Sequence, residues 1–181
     1  AFLFLFFLFL PFINSLFFSS QKEGGIEVNK SIKADFLLSG KKSMLVFFGY
    51  VGCDDVCVPS LEKLKHLYNS KKFESLKDEI DVFFVNLTPT SQSFEPDMFA
   101  KYFDKSFKGV YLSKKEIQNL DKNFGVYFAK DLRDDTKLNH TDYLYHVQNS
   151  ASGSTLKSIY FMHPLQTDKI VRDIIKIKDA R

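Results

Sequence analysis

The stretch "LVFFGYVGCDDVCVPSLEKL", Leu45 to Leu64, constrains this chain more than any other. It holds both cysteines, Cys53 and Cys57, between a continuous apolar run and a proline-led segment with leucines at helical spacing. A short apolar run bounded by a turn is the pattern of a strand covered on both faces, and Met44 to Tyr50 fits it. Pro59 stands where a first helical turn accepts proline. Leu61, Leu64 and Leu67/Tyr68 then recur on one helical face. Both cysteines therefore fall in the loop between a buried strand and the helix that follows.

The rest of the chain extends this unit. Asp81 to Leu87 ("DVFFVNL") reads as a second buried strand, closed by Thr88–Pro89. Pro96 to Phe103 reads as helix and Gly109 to Leu112 as a third strand. Ser113 with Glu116 is a capping box opening a helix that carries Ile117 and Leu120. Val126 to Ala129 is extended, and Asp131 to Asn139 is a charged loop. Tyr143 to Val147 and Leu156 to Met162 are two strands joined through "NSASGS". The apolar residues of the tail from Asp168 fit both the helix and the strand period. Strand–loop–helix–strand–helix–strand, ending in paired strands, predicts an α/β three-layer sandwich with a central mixed sheet over residues 34–181. A cysteine pair between the first core strand and its helix is where a thioredoxin-like fold carries its chemistry.

Two segments precede this domain. Residues 19–33 are polar, with a Gly24–Gly25 pair, and read as a linker. Ala1 to Phe18 has no charged residue, near the lower limit of about 17–25 residues needed to span a bilayer. It is read as a transmembrane anchor, with a cleaved signal as the rival despite the lack of a small-x-small cleavage site. Either reading exports the domain, so in an oxidising compartment the two thiols would close to a disulfide unless reduced or metal-bound. A net charge of +3 with scattered Lys and Arg argues against nucleic acid as a partner. No Walker-type loop, GxGxxG or HExxH is present.

Three roles compete for Cys53 and Cys57: a small structural disulfide, a redox pair, or two thiolate ligands for a soft metal. Residues four apart on a helix have Cβ atoms about 5–6 Å apart, whereas a disulfide needs about 3.8 Å. In a loop ahead of a helix the pair can bridge or chelate. A helix start lowers thiol pKa, while Asp54 and Asp55 oppose further negative charge. A bound cation relieves that repulsion, and two thiolates select a soft ion, Cu(I) before Zn(II). The spacing leans towards metal, and so short a loop gives a structural disulfide little entropy to remove.

These residues resemble the Sco/SenC family, copper-binding thioredoxin-like proteins of cytochrome c oxidase assembly. Phe48-Gly49-Tyr50, Cys53, Asp55-Val56-Cys57 and Leu61-Glu62 match its aromatic-Gly-aromatic step, CxxxC and following helix. The resemblance runs through "VFFVNLTP" and "GVYLSKKEIQNLDKNFGVYFAK" into "DYLYH", covering about Leu45 to Pro164. It implies a copper ion held by Cys53, Cys57 and a histidine, for which His146 in "DYLYHVQNS" is the best match and His140 in "NHTD" the reserve. It also implies a single N-terminal membrane helix; the domain is expected on the periplasmic side of a cytoplasmic membrane, with the mitochondrial inner membrane as the alternative. The implied partners are a cytochrome c oxidase copper-site subunit or another copper-handling protein, and a reductant for the thiols. The alternative function is thiol–disulfide exchange by Cys53 and Cys57. Several positions depart from the family pattern. Gly52 and Asp54 stand where it has His and Pro, Pro59 is displaced from the second cysteine, "VQNSASGSTLK" is extra, and the C-terminal helix reads as short or missing.

The remaining candidates have plainer readings. His66 lies about two and a half turns beyond Cys57, too far to share one metal with it. His163 precedes Pro164 in a turn and reads as structural or exposed. Met44, Met98 and Met162 are isolated and read as core.

Overall fold

The computed structural model describes residues 24–88, 92–134 and 137–179. In chain order the elements are β1 (Gly25–Ile32), β2 (Ser43–Gly49), α1 (Cys57–Tyr68), β3 (Ile80–Asn86), α2 (Glu95–Phe103), β4 (Lys108–Val110), α3 (Lys114–Gln118), α4 (Leu120–Phe124), β5 (Phe128–Lys130), β6 (Leu138–His140), β7 (Tyr143–Ser150), β8 (Gly153–Phe161) and α5 (Thr167–Asp179). Short 3-10 turns cover Asp35–Ser39 and Glu74–Glu79.

Six strands form one sheet in the order β1-β8-β7-β2-β3-β4. β2, β3 and β4 are parallel, while β7 runs antiparallel to β2 and the β7–β8–β1 side is antiparallel throughout. The sheet is therefore mixed, as predicted. All seven residues of β2 and of β3 are buried, because helices and turns cover both faces of the sheet centre. On one face Leu45, Phe47 and Phe84 pack with Leu61 and Leu64 of α1 and Ile170 and Ile174 of α5. On the other, Val46, Phe48 and Phe83 pack with Ile117, Leu120 and Phe124. Alternation along β2 thus feeds two cores. Leu61, Leu64 and Leu67 are buried on α1, each burial stabilising by about 1.5–3 kcal/mol before entropy is counted. The helix is fixed against the strand that precedes its cysteines.

Four segments differ from expectation. The linker predicted over 19–33 contains β1, which pairs with β8 from Gly25↔Tyr160 to Ile32↔Ser154. Its apolar alternation is broken by an irregularity between Glu27 and Lys30, where Asn29 has φ 55°; the strand is held by backbone pairing at the sheet edge. The charged loop closes into the β5–β6 hairpin, with Phe128 opposite His140. The extra "VQNSASGSTLK" is the far end of the β7–β8 hairpin, which turns at Ser150↔Gly153. The C-terminal helix is thirteen residues long, α5. Ile170, Val171 and Ile174 meet the core only on a helical period, since a strand would have pointed Asp168 and Arg172 inward beside Ile170 and Ile174.

The predicted anchor, 1–18, lies outside the described residues. Among the described residues no helix is long and apolar enough to cross a membrane.

Candidate metal centre

β2 ends at Gly49, and the chain turns through Tyr50–Gly52 into the cysteine loop. The Cys53 amide donates to the Tyr50 carbonyl (3.2 Å). Gly52 takes φ 91°, a conformation that side chains resist. Helix α1 then starts at Cys57 with no side-chain cap from Val56. Its first amide is satisfied by sulfur instead: Cys57 N–H donates to Cys53 Sγ at 3.3 Å. Cys53 therefore sits at a helix N-terminus, where an anion is favoured. Both cysteines are buried free thiols.

The third group is His140. Its Nε2 lies 3.6 Å from Cys57 Sγ, and the ligand atoms of Cys53, Cys57 and His140 all lie within 4.8 Å of one another. His140 Nδ1 is 3.1 Å from the Thr141 carbonyl. A carbonyl only accepts, so Nδ1 carries the proton and Nε2 presents its lone pair to the sulfurs. Tyr50 stands edge-on to the ring with centroids 6.0 Å apart.

His146 is not brought to this site. It lies on β7 opposite Leu45, four residues back from the end of β2, or about 13 Å along the strand. It is fully buried, with Nε2 2.7 Å from Ser43 Oγ. The reason is topological. β7 runs antiparallel to β2, so residues that precede β7 share the sheet end that carries the cysteines. His140 precedes β7, whereas His146 lies inside it. His66 is exposed on α1 and takes no part in the site.

Four residues that the sequence did not single out, or read as plain structure, support the site. Ser60 donates to Asp142 Oδ1 (3.3 Å). His163 Nε2 is 2.8 Å from Asp142 Oδ2, and Lys63 Nζ donates to His163 Nδ1 at 2.8 Å. An ammonium only donates, so the His163 proton sits on Nε2 and points at the carboxylate. Asp142 follows His140 by two residues; burial raises its pKa, and the contacts with His163 and Ser60 partly oppose this. Asp54 and Asp55 are solvent-exposed, and Asp55 pairs with Lys137. The carboxylate acting on Cys57 is Asp142 instead.

The two thiols are unequal. The hydrogen bond from the Cys57 thiol holds Cys53 down to about 4 against the cost of burial, with further help from His140. The same bond, then burial, pushes Cys57 up. At His140 burial would lower the pKa, but the hydrogen bond and charge of Cys53 outweigh it and the net shift is upward. The apo pair is therefore one thiolate and one thiol. Because the folded value of Cys53 lies below its ordinary 9.0, its contribution to stability is fully present above about 9 and is lost as pH falls through about 4. Thiolate ultraviolet absorbance of the reduced protein should therefore persist for one sulfur down to about pH 4, and its midpoint should rise in His140→Ala.

Gly49 is fixed by close approach. A Cβ there would lie 2.7 Å from Cys57 Sγ and 3.0 Å from the Phe84 ring. Gly49→Ala should cost about 1–3 kcal/mol by overpacking and weaken soft-metal binding, because Cys57 must move. Denaturant melting and a metal titration on the same variant check both effects.

The SCO1/SenC family profile matches residues 33–177. An SCO2-like protein of Rickettsia conorii is 28% identical over 142 residues, covering 75% of this chain and 66% of the relative. The chain thus spans just under two thirds of that relative's length. The apo Sco1 protein of Thermus thermophilus superposes with a TM-score of 0.64 at 25% identity, covering 84% of this chain and 92% of that one. The copper-bound ScoI of Arabidopsis thaliana gives 0.65 at 20% identity, covering 83% and 99%. A profile match over most of the domain, carried on this thioredoxin-like sheet, places the chain in the SCO1/SenC family.

Proposed function

We propose that this chain binds one Cu(I) through Cys53, Cys57 and His140 and passes it to a cytochrome c oxidase copper site or another copper-handling protein. The observation that carries this reading is the meeting of two thiols and one imidazole nitrogen within 4.8 Å. Metal–ligand bonds of about 2.0–2.3 Å set the ligand atoms of a planar three-coordinate ion about 3.5–4 Å apart, so closure needs sub-ångström shifts. Soft thiolates select Cu(I), and three ligands leave Zn(II) one short of its tetrahedral set. The copper-bound relatives share the fold.

Binding displaces the Cys57 proton, so both sulfurs become thiolates around the ion. Transfer is ligand exchange: an acceptor thiolate or imidazole enters the open face before a donor leaves. Neutral His140 leaves more readily than either thiolate, so it sets the exit rate as well as the affinity. The uncharged Ala1 to Phe18 supports a single-pass tether, with the domain on the periplasmic side of a cytoplasmic membrane and a reductant keeping the thiols open. Mixing the Cu(I)-loaded chain with the reduced copper-site domain of a cytochrome c oxidase tests the reading. One equivalent should move, and retention of copper against a competent acceptor would contradict it.

The inequality of the thiols favours a second reading, thiol–disulfide exchange. Two electrons pass to a partner disulfide, which leaves as a dithiol while Cys53 and Cys57 close to a disulfide. Reduction of a partner that survives both copper removal and His140→Ala would establish it.

A further inference from the structure

A groove of about 640 Å³ opens between the second half of α1 and the start of α5, on a part of α1 that the cysteines do not use. Its size falls in the range of about 300–1,000 Å³ typical of small-ligand sites. Leu67, Leu165 and Val171 line it with apolar surface, and Lys63, Lys71 and Lys72 stand around it. Among the described residues Lys63 donates to uncharged acceptors, the Met162 carbonyl and His163 Nδ1, and has no direct ion pair. Lys72 pairs with Asp168 at 2.7 Å, and among the described residues Lys71 has no ion pair. A shallower hollow continues the groove past Arg172. Apolar walls beneath an excess of cationic side chains are complementary to a molecule with a hydrocarbon body and an anionic head.

The groove also lies where the chain enters the domain. The Gly24 carbonyl accepts from the Phe161 amide (2.8 Å), and a Cβ on Gly24 would lie 2.8 Å from Gln166 Cγ. Gln166 is flanked by Leu165 and Thr167, both of which line the groove. Five residues separate Phe18 from Gly24, six steps along the chain and so a span of at most about 22 Å. Resting on the tether proposed above, that places the groove within reach of the headgroup layer, which is about 5–7 Å deep on each side.

We propose that this groove binds one anionic phospholipid of the anchoring membrane, acyl carbons against Leu67, Leu165 and Val171 and phosphate against Lys63, Lys71 and Lys72. Such a contact fixes the orientation of the domain, and so of its metal site, relative to the membrane.

The test is a titration of the full chain, held in phosphatidylcholine nanodiscs, with dihexanoylphosphatidylglycerol. The readout is hydrogen-exchange protection over residues 63–72 and 165–171. Saturable protection is expected, at least about tenfold weaker with dihexanoylphosphatidylcholine or inorganic phosphate. It should also be about tenfold weaker in Lys71→Glu/Lys72→Glu, a variant whose melting temperature and Cu(I) stoichiometry stay unchanged. Equal protection by the two lipids, no saturable protection, or indifference to charge reversal would overturn the proposal. Alkaline carbonate extraction reads the tether separately. A chain that washes off membranes removes the lipid source and overturns the inference, whereas a chain that stays but shows no protection overturns the groove alone.

Discussion

Cys57→Ala should abolish tight one-to-one Cu(I) binding. Apparent free energies of about 10–16 kcal/mol for four-ligand structural zinc sites put one ligand at about 3–4 kcal/mol, or two to three decades in affinity. For Cys57 the loss should reach the upper end. Its sulfur is 3.6 Å from His140 Nε2, and its amide positions Cys53 Sγ. The variant keeps its fold, because alanine is accepted at a helix start and only one sulfur leaves the core. A competition titration against a chelator of known Cu(I) affinity reads the result directly. A second effect accompanies it. With the Cys57 thiol gone, Cys53 loses the hydrogen bond that contributes most to its low pKa, so its thiolate absorbance should titrate at higher pH than in the parent chain.

His146→Ala should have the opposite profile, a large loss of stability with copper affinity unchanged. The ring is fully buried between strands and its Nε2 meets Ser43 Oγ. Truncating a large buried side chain costs about 3–5 kcal/mol, and leaving the Ser43 hydroxyl without that partner contributes within the same range. Against a domain stability of about 5–15 kcal/mol this is a severe change, visible as a lowered urea midpoint. A partly rescued stability in His146→Gln, which keeps polar atoms near Ser43, would show that the residue acts as a buried hydrogen-bonding wedge in the sheet.

The contrast between the two histidines shows what the sequence could and could not disclose. Strands β2 and β3 and helix α1 are legible because burial on both faces leaves continuous apolar runs and because Pro59 and the leucines mark the helix. The capping box at Ser113 is realised, with Ser113 Oγ accepting from the Glu116 amide. The cysteine pair announces the site, since no other residues combine that spacing with that place in the fold. The third group was harder to find, because a ligand set assembled from distant segments depends on strand direction rather than local pattern. Once β7 is known to run antiparallel to β2, the histidine to choose is the one before the strand, His140. The aromatic match of "DYLYH" points to His146, which lies inside β7 opposite Leu45, four residues back from the end of β2.

Other misses have similar causes. β1 is polar and bulged and is a strand only because β8 offers it a backbone edge. Helix α5 could not be told from a strand until its partners in the core were known. The pairing of Asp142 with His163 joins residues on either side of the β7–β8 hairpin, and no short-range signal marks it. Asp54 and Asp55, which look in the sequence like the charges that govern the thiols, point to solvent, and the half-buried Asp142 adds a smaller upward push on Cys57.

The most direct measurement is a Cu(I) competition titration of the reduced chain beside His140→Ala and His146→Ala. One tight equivalent is expected in the parent, weakened by about two to three decades in His140→Ala and unchanged in His146→Ala. Tight binding that survives His140→Ala but falls in His146→Ala would contradict the ligand set built from Cys53, Cys57 and His140.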